Sequence, residues 1–215
     1  MDRAAAVDRL ASIVDRVERD RMPVPVREVW AFGDVALGLD PVSRLDVYVT
    51  KDVLMRGDAD AARTFEMEYG IKGVGKSVRA DWAEANPDRV RASDNGYAAP
   101  EKCLASELLG DADEPIHLEV CNASFEDNVT QRLKGALARD AYEEVLDPRG
   151  VCLWVDGRRD DEAFTRLREA SFAMPTLQAA LGMLGVEDDR ANDIADVLAS
   201  QRSEQEGSSV RGDMV

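Results

Sequence analysis

The sequence predicts an α/β fold of the α+β kind: a mixed sheet of about four strands covered by helices. Three observations lead there. Four short runs rich in β-branched and aromatic residues are spread along the chain: REVWAFG (27–33), RLDVYVT (44–50), PIHLEVCN (115–122) and VCLWVDG (151–157). Between and after them lie seven or eight longer segments whose apolar residues recur at three- and four-residue spacing. A length of 215 residues, 45% of them hydrophobic and 33% charged, suffices for one well-cored domain. Strands interspersed with helices bury their apolar faces by packing as a sheet under helical cover.

Taken in order, residues 4–20 form a helix with Val7, Leu10, Val14 and Val17 on one stripe, and Pro23 and Pro25 end it. The first two strands follow, joined by the compact turn DVALGLDPVS (34–43). Residues 59–69 read as a helix with Ala62, Phe65 and Tyr69 on one face and Gly70 at its C-terminal cap. A glycine-rich loop then leads to Ser77, the N-cap of a helix near 78–86 that Pro87 closes. Residues 87–97 read as irregular and 99–109 as helical. After the third strand, Ser124 is an N-cap with Asp127 three residues on, and Phe125, Val129, Leu133 and Leu137 supply the apolar stripe. The fourth strand precedes helices near 160–172, 176–184 and 188–201. Residues 1–202 thus read as a single domain and residues 203–215 as a flexible polar tail.

Charge narrows the partners. Asp and Glu total 43 against 27 Lys and Arg, a net charge of −16. That field disfavours broad, non-specific attraction to nucleic acid or to an anionic membrane. No apolar run approaches the ~18 residues a membrane-spanning helix needs, so no membrane partner is expected. The charged, amphipathic N-terminus lacks the apolar core of a signal peptide, which predicts a cytoplasmic protein. With 22 Arg and five Lys, the acidic, lysine-poor chain resembles proteins of halophilic archaea. Cys103, Cys121 and Cys152 have no C-x-x-C spacing. His117 and Cys121 share a strand roughly 13 Å apart, too far for one zinc.

Two motifs carry chemistry. The first, GIKGVGKS (70–77), fits the phosphate-loop pattern G-x-x-x-x-G-K-[ST] at every required position. Two of the five lysines, Lys72 and Lys76, fall inside it beside Gly73, Gly75 and Ser77. Such a loop wraps phosphates with backbone N–H groups, and Asp156 at the end of VCLWVD is the matching acidic partner for magnesium. A hydrolase needs a nearly continuous apolar strand before the loop, whereas TFEMEY carries Glu66 and Glu68. A glycine turn into a helix N-terminus can hold an anion without that strand, or can simply turn the chain.

The second is the hairpin VWAFGDVALGLDPVSRLDVYV (29–49). It resembles the first two strands of the nucleotidyltransferase superfamily, whose pattern is h-G-S-x-A-R-G, a spacer, then S-D-h-D-h. Gly33, Val35, Ala36 and Gly38 match the glycine turn, and Ser43, Asp46 and Val47 match the second strand. The resemblance implies a triphosphate held by the turn and two metals held by strand aspartates, with Glu119 as candidate third carboxylate. Here Asp34 stands at the motif's Ser, Leu37 at its Arg and Arg44 at its first metal-binding Asp. A fixed positive charge where a cation should sit implies that ordinary two-metal catalysis is lost. The whole chain also resembles an uncharacterised haloarchaeal protein family.

The sequence therefore leads to a nucleotidyltransferase-like domain whose catalytic site has decayed. Its expected role is binding or regulation, with a nucleotide, an RNA end or a protein partner, and magnesium accompanying any bound nucleotide. The alternatives are a phosphate-loop hydrolase using Gly70–Ser77 and Asp156, or a transferase rebuilt around Asp34, Asp46 and Glu119.

Overall fold

A computed structural model describes residues 1–19, 22–52, 57–69, 78–79, 85, 97–110, 114–205 and 207–212. Among these, the main sheet holds six strands. They are β1 (Val26–Phe32), β2 (Leu45–Lys51), β5 (Ile116–Cys121), β6 (Val151–Val155), β7 (Arg158–Arg159) and β8 (Ser209–Gly212). Their order is β7-β6-β1-β2-β5-β8. The β1–β2, β1–β6 and β6–β7 pairs are antiparallel, and β2–β5 and β5–β8 are parallel, so the sheet is mixed. The α+β class and all four predicted strands stand.

Alternation along the central strands gives the sheet two unlike faces. Val29, Ala31, Leu45, Val47, Val49, Ile116, Leu118 and Val120 are fully buried in one large apolar cluster. Into it pack α1 (Arg3–Arg19) with Leu10 and Ile13, α3 (Pro100–Leu109) with Leu104 and Leu108, and α5 (Asp161–Arg168) with Phe164 and Leu167. Each such side chain contributes about 1.5–3 kcal/mol by leaving water. The other face carries Phe32, Tyr48 and Cys121, which pack with Phe125 and Val129 of α4 (Phe125–Arg139) and with Leu146. Phe125 stacks on Trp30 at 4.8 Å and meets the Tyr48 ring edge-on at 5.3 Å. A third cluster joins Leu133 and Ala136 to Leu177 and Leu181 of α6 (Leu177–Met183) and Ala191 and Ile194 of α7 (Asp188–Glu204).

Short side chains start the helices where the sequence places them. Ser124 accepts from Asp127 N at 3.2 Å, Asp160 from Ala163 N at 2.9 Å and Thr176 from Ala179 N at 3.2 Å. The predicted helix over 59–69 is α2 (Ala59–Tyr69).

Three differences are informative. Val78–Arg79 opens no helix; it forms β3, antiparallel to β4 (Tyr97–Ala98), and the rest of the span 78–86 lies almost entirely outside the described residues. VCLWVDG ends as a strand at Val155, where Asp156, at φ +48°, and Gly157 turn the chain into the two-residue β7. Finally, Ser203 and Glu204, which the sequence assigns to the polar tail, close α7, and Ser209–Gly212 of that tail pair with β5. Strands of two or four residues are too short for an apolar alternation to announce them.

No helix among the described residues is long and apolar enough to cross a membrane.

Candidate functional site

The polar face of the sheet is set by register. Phe32 pairs with Asp46, Asp46 with His117 and His117 with Ser209, so these residues form one row across β1, β2, β5 and β8. Two residues further along, Tyr48, Glu119 and Arg211 form the next row. Phe32, His117, Ser209, Glu119 and Arg211 of these rows floor a cleft of about 210 Å³, whose walls include Leu146, Asp147 and Leu198, with Arg202 and Gln205 from the end of α7.

The turn after β1 brings two of the predicted residues together. Gly33 adopts φ +66°, and a Cβ there would lie 2.2 Å from Asp46 Oδ2. Only glycine lets the turn lie against that carboxylate. Gly38 ends the turn beside Ala170. Asp34, at the motif's Ser position, is buried and accepts from the backbone N of Ser43 at 3.0 Å and from the Ser43 hydroxyl. It ties the two ends of the turn together.

Asp46 has no exposed surface. Arg44 Nη2 stands 2.6 Å from its Oδ1, and Arg202 Nε 3.7 Å from its Oδ2. Neither oxygen receives a well-aligned hydrogen bond from a described group. Burial raises its pKa above the ordinary carboxylate value, against the opposing pull of Arg202 and Arg44. Arg202 also reaches Asp34 Oδ1 at 3.4 Å and Asp147 Oδ2 at 3.7 Å. Asp147 in turn is clamped by Arg149 through two contacts of 2.9 and 2.8 Å. Asp34, Asp46 and Asp147 are thus balanced by Arg44, Arg149 and Arg202, with one guanidinium touching all three carboxylates. We call this arrangement the charge lock.

The hairpin resemblance implies divalent ions at Asp46. The donor set does not fit them: the space beside Oδ1 is taken by a permanent cation, and a second flanks Oδ2. Among the described residues, no three His, Cys, Asp or Glu side chains gather round one metal-sized position.

Glu119 lies on the same face but belongs to a separate group. Its Oε2 accepts from Arg132 Nη1 at 2.9 Å, and its Oε1 lies 3.1 Å from His117 Nε2. His117 Nδ1 is 2.7 Å from the Ser209 hydroxyl. With Glu119 ionised, Nε2 is the donor of the His117–Glu119 bond. Burial pushes the Glu119 pKa upward, but the bond from His117 and the Arg132 charge overcome it and hold it at about 2. A depressed carboxylate stabilises the fold above its unfolded value of 4.5, and that stability is lost as pH falls towards 2. Glu119→Gln is therefore expected to cost about 3 kcal/mol at pH 7 and to flatten the acid limb between pH 4.5 and 2. Urea titrations of both proteins at pH 7, 4 and 3 check this.

The remaining predicted residues fall elsewhere. Asp156 sits beside Arg27, 3.8 Å away, at the opposite end of β1 from Asp46. Lys72, Gly73, Gly75, Lys76 and Ser77 lie outside the described residues, and the segment entering that loop is the helix α2. Cys103 and Cys152 carry free thiols, and burial pushes the Cys103 thiol up to about 12. Sequence reasoning missed Arg202, Asp147, Arg149, Arg132 and Arg211. His117 and Glu119, alternating with Ile116, Leu118 and Val120, gave a visible signal of a polar face.

A family profile matches residues 2–215, nearly the whole chain. The chain belongs to DUF7095, a family of unknown function. No curated protein and no solved structure matches this DUF7095 chain. The reading of its cleft therefore rests on its own side chains.

Proposed function

We propose that this chain is a nucleotidyltransferase-like domain that has given up metal catalysis and binds a nucleotide in a regulatory role. The observation that carries the reading is Arg44 at 2.6 Å from the buried Asp46, at the position where the resembling family places a metal-binding Asp. A guanidinium cannot be titrated away, so it replaces a removable cation with a fixed one. Arg44 and Arg202 both line the cleft, which suits an anionic ligand such as a triphosphate or the phosphate of an RNA end, while Phe32, Val145 and Leu198 offer an apolar wall for a base. A protein partner presenting a carboxylate or phosphate would use the same charges. We read the net charge of −16 as a salt-adapted surface of a cytoplasmic, haloarchaeal protein, so its chemistry belongs in molar KCl.

Calorimetric titration with ATP and GTP in molar KCl, with and without magnesium, tests this. Binding should occur, with an affinity that magnesium changes less than about tenfold and with no release of pyrophosphate. Magnesium-dependent nucleotidyl transfer would overturn the reading, and so would failure of either nucleotide to bind to an opened cleft.

A further inference from the structure

The C-terminal segment meets the cleft group for group. Gln205 Oε1 accepts from Arg44 Nη1 at 2.7 Å, and Gln205 Nε2 donates to Ile116 O at 3.4 Å. Ser209 bonds His117 at 2.7 Å. Arg211 pairs in register with Glu119 and lines the same cleft. Gly212 packs so closely on α3 that a Cβ would lie 2.5 Å from Glu101 Cγ. Glu101 has little freedom to move aside, because it is ion-paired with the buried Lys51. This is a seat shaped for one strand.

The segment lining this side of the cleft is also a slight part of the sheet. β8 is four residues long, lies at the sheet edge and exposes Val210 to 44%. Beyond its backbone pairing with β5, its contribution to the cleft is polar, through Ser209 and Arg211. Ser209, His117 and Glu119 have the order of a nucleophile relay, but here the serine hydroxyl is spent in fastening an edge strand to its neighbour. With the segment seated, the cleft keeps about 210 Å³, below the roughly 300–1,000 Å³ of ligand pockets.

We propose that Gln205 and the strand β8 together form an autoinhibitory strap, an internal ligand that must leave the cleft before a nucleotide can enter. The inference rests on the binding reading above and adds its regulation. A ligand that binds only the strap-open form has its apparent affinity reduced by the fraction of molecules that are open. Anything that unseats β8 therefore tightens binding without touching the ligand's own contacts.

Gly212→Val tests this because Gly212 lies outside the cleft lining and its new side chain collides with Glu101. Val210→Pro is an independent second variant that deletes an N–H within the same strand. Three readouts are taken on the full chain: hydrogen exchange of β8 and β5, modification of Arg44 by phenylglyoxal, and calorimetric binding of ATP. The expected result is fast exchange confined to β8, a rise in Arg44 modification and ATP binding at least about tenfold tighter than in the parent. Fast β8 exchange with unchanged Arg44 modification overturns the strap, as does weaker ATP binding in both variants. A rise in Arg44 modification with no nucleotide bound upholds the strap and overturns the nucleotide reading instead.

Discussion

Arg202→Met is expected to destabilise the fold by about 3 kcal/mol, the low end of the loss on breaking a buried ion pair. The methionine fills the space of the aliphatic stem but leaves Asp34, Asp46 and Asp147 with two arginines among the described residues, Arg44 and Arg149, against them. The low end applies because the three Arg202 contacts span 3.4–3.7 Å and its side chain keeps 20% exposure. The pH dependence identifies the mechanism. Asp46 already has a raised pKa, and removing a cation raises it further. The folded variant then binds a proton more tightly than the unfolded chain does, so its deficit shrinks as pH falls. Urea unfolding at steps from pH 8 down to pH 4 measures this trend. A deficit that stays constant across the range would mean that Arg202 acts through packing alone.

Gly33→Ala is expected to be the most damaging single change, at about 4 kcal/mol or more. Two costs combine. A left-handed backbone at an L-residue costs about 1–2 kcal/mol, and Gly33 has φ +66°. The added methyl would also lie 2.2 Å from Asp46 Oδ2, a carboxylate that Arg44 prevents from retreating. The double variant Gly33→Ala with Asp46→Ala separates these. It should lose less than the sum of the single variants, with a coupling of about 2 kcal/mol, because the methyl occupies the vacated carboxylate space. A loss of only about 1 kcal/mol in Gly33→Ala alone would show that the turn yields easily.

What could be read from the sequence follows the physics of alternation. In LDVYVT and IHLEVC every second residue is apolar, and that pattern alone places Asp46 and Glu119 on the same kind of face. Gly33 and Asp34 followed from the pattern of the turn. Arg202 could not be read, because it stands at the end of a helix 168 residues from its partner Asp34, in a run with no motif. Asp147 and Arg149 sit in a turn, DPRG, that looks like any loop. Charge compensation is a three-dimensional property: Arg44 lies two residues from Asp46 in the sequence, but the second cation beside that carboxylate, Arg202, comes from another part of the chain. β7 and β8 were invisible for a different reason: their pairing is dictated by the neighbouring strand rather than by their own composition.

The division of the sheet into an apolar and a polar face also constrains how this chain can change length. Adding or removing one residue within β5 would exchange its two sets of side chains, driving His117 and Glu119 into the packed layer under α1 and α3 and turning Ile116, Leu118 and Val120 towards the cleft. The same error in β2 would bury Asp46 among leucines and valines, away from both of its arginines. Insertions and deletions inside these strands should therefore be absent from functional variants, and length variation should gather in the connections between them. In this chain the frame that places the charges is also the frame that lets it fold, so a shift that lost one would lose the other.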